Sequence, residues 1–506
     1  MHTDIARHIS LDRRNQKNSC EGENMSHELG NIALETATKN GASFADVRIG
    51  EVFDEHVTVK KGLPDDISLR QTGGLGVRVI VDGAWGFAGS VFLTKKEASQ
   101  TTKTAISIAK ASSTLKKKPV KLTSQKARKD KYITPMKKDP FKIPLDEKIE
   151  VLLAAERLIA KQSDLIKSSS AFFRAFRENK LFMSTEEAEL TQQITWCGGG
   201  LEAVAVRNGE VQRRSYPASF RGNFSTRGYE FFESLALLDH AKQVGQEALQ
   251  LLDADRCPSA ETDLILTGDQ LALQIHESCG HPTELDRALG MEADYAGTSF
   301  LVPDKLRRLK YGSESVNIVA DATVPGGLGT FGYDDEGTQA TCVDLIKRGL
   351  FVGYQTSRET AAELGLKQSS GGMRAMSPIA LPLIRMTNIN LLTGNWKADE
   401  IMEDTKKGVL MMVNKSWSID DKRLNFQFGT EIAWEIKNGS KEKILKNPTY
   451  TGATPVFWGS CDAVSKDDSK MWGTPNCGKG VPGQSMYVGH GCSTARFRKT
   501  RIGVLR

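Results

Sequence analysis

The sequence predicts an α+β protein of two domains, an α/β N-terminal half and a β-rich C-terminal half that carries one important helix. Three observations predict it. Strand-like and helix-like periodicities alternate up to about residue 250. Hairpin dipeptides stand between apolar runs at Asp82-Gly83, Asn208-Gly209 and Asn438-Gly439, where two successive positive φ angles are needed. Beyond residue 250 the pattern is strands and glycine turns, interrupted by one helical stretch, "TGDQLALQIHESCGH".

Taken in order, residues 1–25 are polar and read as a disordered extension. In "GVRVIVDGAWGFAGS", Val77, Val79 and Val81 keep a two-residue period ahead of the Asp82-Gly83 turn. The preceding "GGLG" resembles a phosphate loop, but it leads into a strand rather than opening a helix, which argues against a nucleotide. Residues 93–113 read as a helix, and so does "PLDEKIEVLLAAERLIAKQ", with Leu145, Ile149, Leu152 and Ile159 at helical spacing. Between them, residues 110–142 carry twelve Lys and Arg against two Asp. Aromatics for base stacking are sparse, and the segment reads as a solvated, extended connector rather than a nucleic-acid patch. Residues 170–223 are strand-rich, and "FFESLALLDHAKQVGQEALQLLDAD" reads as one helix. The expected organisation is an extension over 1–25, an N-terminal α/β domain over 26–250 with the basic connector 110–142, and a C-terminal domain over 251–506.

Bulk properties exclude several classes. The chain has 506 residues, 39% apolar and 26% charged, with net charge +6, the profile of a globular protein. No apolar run reaches the 18 or more residues that a membrane span requires. The start lacks the apolar core of a secretory signal, and the eight cysteines include no C-x-x-C pair. Reduced thiols and a cytoplasmic location are expected.

The segment "LALQIHESCGHPTELDRALG", residues 271–290, is where chemistry is expected. His276 and His281 are five apart, with Glu277 beside the first. In an undistorted helix such positions diverge by roughly 140°. Gly280 permits a distortion and Pro282 disfavours the α conformation at His281. A π-type turn at this point would bring residues five apart into line. Thr267 and Asp269 are candidate N-caps. Two imidazoles and a neighbouring carboxylate suit zinc chemistry, Glu277 taking the proton of a metal-bound water. A third ligand must come from elsewhere, and "GTPNCGKGVPGQSMYVGHGCSTARF" offers Cys477, His490 and Cys492, with Cys477 in a glycine-rich stretch that reads as a tight loop.

Over almost its whole length, from about Ala45 to Phe497, the chain resembles the TldD branch of the TldD/PmbA metalloprotease family. The resemblance lies in "HESCGHPTELDRALG", "DDEGTQATCVDLIKRGLFVGYQTSRETA", "SGGMRAMSPIALPLIRMTNINLLTG" and "CGKGVPGQSMYVGHG", with "ADVRIGE" and "GVRVIVDGAWGFA" nearer the start. It implies a two-domain TldD/PmbA-like fold and a zinc-dependent peptidase acting on unfolded or extended polypeptides. It further implies His276, His281 and Cys477 as Zn2+ ligands, Glu277 as general base, and Cys492 outside the ligand set. The family pattern has glycine where this chain has Pro282. Glu284 and Asp286 follow the metal helix, either to support it or to meet substrate. The implied assembly is a homodimer, or a heterodimer with a PmbA-like subunit; the apolar runs and the make-up of residues 110–142 argue separately against a membrane or nucleic-acid partner. The competing readings are a non-catalytic, metal-containing scaffold or regulatory subunit, and a nucleic-acid-associated regulator acting through residues 110–142.

Overall fold

A computed structural model describes residues 15–116, 118–219, 222–294 and 297–504. The N-terminal half is built on one sheet of eight strands: β1 (Phe44–Lys60), β2 (Leu63–Val81), β3 (Ala84–Ser90), β4 (Lys129–Ile133), β5 (Ile166–Ser184), β6 (Glu189–Arg207), β7 (Glu210–Tyr216) and β8 (Asn223–Ser225). Their order is β3-β2-β1-β5-β6-β4, with β7 and β8 also pairing with β6. The expected turns hold: Asp82 and Gly83, and Asn208 and Gly209, all have positive φ. Helices α1 (Asn15–Lys39) and α2 (Lys95–Ser113) cover β1 and β2, burying Leu29, Ala33, Ala105 and Ala109 against Val47, Val77 and Val79. Helices α3 (Leu145–Ala160), α4 (Tyr229–Ser234) and α5 (Leu237–Asp253) pack on β5 and β6 around Leu152, Phe173, Leu201 and Val244.

Three expectations change. Residues 15–25, assigned to a disordered extension, are helical, because the buried face at Leu29 and Ala33 anchors α1 and adding turns to a formed helix costs little; residues 1–14 lie outside the described residues. The single helix expected after residue 230 is two, since Ala236 takes a left-handed conformation, φ 47°, between α4 and α5. The basic connector is not wholly solvated. Its residues 129–133 form β4, which joins β6 in parallel with Lys129 and Lys131 exposed, and the Thr123 carbonyl accepts from Arg358 Nε and Nη2 at 3.0 and 2.7 Å.

The "GGLG" glycines lie within β2, and their use is steric. A Cβ on Gly76 would stand 2.2 Å from the Pro378 carbonyl, and one on Gly74 would stand 2.4 Å from an Ile379 methyl. They let a C-terminal loop lie directly on the sheet. Buried charges fasten the same junction: Lys180 Nζ lies 2.8 Å from Asp335, and Arg214 Nη1 donates to Glu431 at 2.8 Å.

The C-terminal half closes five strands into a ring. Lys407–Ile419 pairs with Ala260–Leu266, that strand with Ala495–Val504, that with Pro448–Ala453, that with Asn425–Lys437, and the last returns to Lys407–Ile419. Helix α6 (Gly268–Ile275) leaves the end of Ala260–Leu266. Tyr450, buried on the ring, pins it by accepting from Gln270 Nε2 at 2.9 Å and donating to Gln274 Oε1 at 3.0 Å. A separate hairpin, Lys470–Lys479 with Gln484–Cys492, lies against α6, tied in by an isolated bridge between Asn388 and Gly489. Among the described residues, no helix is long and apolar enough to cross a membrane.

Candidate metal centre

Helix α6 is anchored by its first residues, though not by side-chain caps. Thr267 occupies the N-cap position without capping, and Asp269 accepts from the Val413 N–H at 2.6 Å. Both are spent tying the helix to the neighbouring strand. At His276 the helix widens into a π turn, His276–Gly280, in which the His281 N–H donates to the His276 carbonyl five residues back. The two imidazoles thereby come together, ring centroids 4.9 Å apart, as the five-residue spacing requires. Gly280 contributes differently from expectation. Its dihedral angles are ordinary helical ones, φ −56° and ψ −64°, but a Cβ there would stand 2.1 Å from Met386 Sδ. Gly280→Ala is therefore expected to cost about 1–3 kcal/mol by overpacking, read by denaturant unfolding. In a double-mutant cycle with Met386→Ala the two changes should cost less together than their separate costs combined.

Cys477 projects from a strand, not from the glycine loop that the sequence suggests. Pro475, which has no N–H to give, interrupts the Lys470–Lys479 ladder, and the pairing slips by one residue between Thr474 and Cys477. Among the described residues, the group of His, Cys, Asp or Glu able to hold an ion is His276, His281 and Cys477. All three are buried, with ligand atoms within 4.8 Å of one another. Cys477 Sγ lies 3.6 Å from His281 Nε2. Cys492, at the far end of the hairpin opposite Lys470, is not part of the group.

The surrounding residues suit such a group to a cation. His281 Nδ1 lies 3.0 Å from Glu284 Oε2, and His276 Nδ1 lies 2.9 Å from His490 Nε2. Each ring's other nitrogen is thus left to face the centre, the arrangement that fixes the tautomer of a metal-bound imidazole. Burial pushes both histidines toward the neutral form, His281 well below the ordinary value. Burial alone would push the Cys477 thiol up, but the Arg385 guanidinium and His281 outweigh it and bring the thiol down, toward thiolate. Burial pushes the Cys492 thiol up. Two neutral imidazole nitrogens and a sulfur drawn toward thiolate are a donor set of the kind that holds zinc.

Behind Glu284 the support continues inward. Lys479, fully buried, donates to Asp286 Oδ1 and Oδ2 at 2.8 and 2.9 Å and to the Ile384 carbonyl at 2.7 Å, and lies 3.2 Å from Glu284 Oε2. Glu284 and Asp286 therefore brace the site through Lys479. Glu284→Gln is expected to lower metal affinity about 10–100-fold, measured by competition with a chromophoric chelator. Glu277 is buried beside the group and pairs with Arg423 Nη1, from the turn between two ring strands.

Comparison with known proteins gives three domains rather than the two expected, dividing the N-terminal half in two. Domain models described as PmbA/TldA metallopeptidase domain 1, central domain and C-terminal domain match residues 45–109, 138–252 and 259–503. A metalloprotease of Methanocaldococcus jannaschii is 31% identical over 453 residues, covering 90% of this chain and 95% of its own. The chain belongs to the PmbA/TldA metallopeptidase family. Another PmbA/TldA relative, a zinc metalloprotease TldD homolog of Saccharolobus solfataricus, is 24% identical over 93% of this chain and 98% of its own. Among solved structures, TldE from Thermococcus kodakarensis shares the fold, with a TM-score of 0.71 at 14% identity, covering 94% of this chain and 100% of that one.

Sequence reasoning missed three contributors. His490 was weighed as a ligand and stands instead behind His276. Arg385 lies inside a quoted family-like stretch but nothing there points it at the metal group, and Arg423 comes from a segment with no motif of its own.

Proposed function

We propose that this chain is a zinc-dependent peptidase of the TldD type, hydrolysing peptide bonds in unfolded or extended polypeptides. The observation that carries the reading is the convergence of His276, His281 and Cys477 within 4.8 Å, with Glu277 buried beside them. His276, His281 and Cys477 would hold the zinc, which would supply Lewis-acid polarisation of a carbonyl and make a neighbouring water more acidic. Glu277 would take a proton from water as the water oxygen attacks the scissile carbonyl, and would return it to the departing amine. His490, Glu284 and Lys479 keep the two imidazoles aimed throughout. The family relationship and the TldE-like fold support a homodimer, or a heterodimer with a PmbA-like subunit, as the working assembly.

The test is removal and restoration of the metal. Treatment with a strong chelator should abolish hydrolysis of an unfolded polypeptide, and stoichiometric zinc should restore it. Hydrolysis indifferent to both treatments, or absent from zinc-loaded protein, overturns the reading.

A further inference from the structure

We propose that Arg423 is the oxyanion-binding residue of this site: its guanidinium leaves Glu277 during the reaction and receives the negative charge that develops on the scissile carbonyl. The inference rests on the peptidase reading and supplies something that reading lacks, a group to hold the tetrahedral intermediate.

The placement of Arg423 favours this role. Its residue sits on the turn closing Lys407–Ile419 and Asn425–Lys437, with φ 63°, a left-handed conformation uncommon for a residue bearing a side chain. The backbone there is fixed on several sides. The Arg423 N–H donates to the Asp420 carbonyl at 2.8 Å, and its own carbonyl accepts from Thr454 Oγ1 at 3.1 Å. The side chain is much less committed. Its Nη1 pairs with Glu277, while Nε is buried with no hydrogen-bond partner. Its charge bears on both His276 and His281. The neighbouring cations are committed elsewhere: both terminal nitrogens of Arg385 donate to the Gln484 and Cys477 carbonyls, its Nε alone being unpartnered, and Lys479 donates to Asp286 and the Ile384 carbonyl. Arg423 is the one that holds a reacting group and still has a buried donor to give.

Charge conservation sets the sequence. Water gives a proton to Glu277, so the carboxylate that Arg423 holds becomes neutral. The water oxygen bonds to the carbonyl carbon as the π pair moves onto the carbonyl oxygen. Negative charge thus leaves one partner of Arg423 as it appears on another, and the guanidinium follows it. The oxyanion's electron pair then re-forms the C=O bond as the C–N bond breaks, the C–N pair goes to nitrogen, and nitrogen takes the proton back from Glu277. Arg423 returns to the carboxylate. A pre-placed donor of this kind contributes about 10²–10³-fold to kcat.

The test separates this role from one of merely positioning Glu277. Zinc-loaded wild type, Arg423→Lys and Arg423→Ala are compared for kcat, KM, zinc content and affinity for a phosphinic pseudopeptide, whose tetrahedral anion mimics the intermediate. The expected result for Arg423→Ala is full zinc content, KM within about threefold of wild type, kcat down about 10²–10³-fold, and phosphinate affinity down in parallel. Added guanidinium should restore part of both losses, and Arg423→Lys should fall between. Lower kcat with unchanged phosphinate affinity would make Arg423 a positioning residue, and unchanged kcat with zinc bound would remove it from the chemistry; either overturns the proposal. If the alanine variant does not fold, the lysine variant carries the same comparison. A wild type inactive with zinc bound is the failure of the peptidase reading itself.

Discussion

Glu277→Gln is expected to leave zinc bound and to abolish nearly all peptide hydrolysis, with kcat down about 10²–10⁴-fold. The substitution preserves shape, and Glu277 lies outside the ligand group. The metal should therefore stay, while the carboxylate beside His276 that would take a proton from water is gone. Binding of an unfolded polypeptide should change little, because the lost function acts in the chemical step. The measurement is zinc content and hydrolysis on the same preparation. A zinc-bound Glu277→Gln protein cutting at the wild-type rate would reassign the base, and would revive the reading of a scaffold that keeps its metal for structure.

The second large effect concerns sulfur. Cys477→Ser is expected to strip zinc far beyond the 10–100-fold that losing an outer partner costs, while Cys492→Ser leaves zinc content near that of wild type. The two cysteines lie on one hairpin, and both are buried. What separates them is surroundings. Cys477 has Arg385 and His281 drawing it toward thiolate, whereas burial holds Cys492 as a thiol. A serine hydroxyl at 477 supplies no anion and leaves the Arg385 charge facing an empty corner. At 492 it only buries a hydroxyl, which costs stability, about 1–3 kcal/mol, and no ligand. The opposite ranking in zinc content would move the third ligand to Cys492.

Much of this was legible in the chain, because much of it is local. The five-residue spacing of His276 and His281 makes sense only in a widened turn, and Pro282 marks where the helix ends. The Asp82-Gly83, Asn208-Gly209 and Asn438-Gly439 turns each follow from two positive φ angles at adjacent residues. The third ligand was different: spacing left Cys477, His490 and Cys492 open, and only the resemblance selected among them. What resisted reading depends on packing between distant segments. Ala236 breaks a helix with no glycine or proline to announce it. Gly280 is glycine because Met386 needs the room, and Met386 is far away in sequence. Arg385 and Arg423 look like ordinary charges until the fold carries them inside.

The split origin of the site has a consequence for when the protein becomes dangerous. Two of the three converging side chains come from one short segment, and the sulfur arrives 196 positions later. A nascent polypeptide that has reached residue 300 owns two of the three side chains and lacks the sulfur. Any product truncated before the final hairpin is in the same position. On the proposed peptidase reading, hydrolytic competence would be withheld during synthesis and would arise only once the strands bearing Cys477 and His490 have been made and docked.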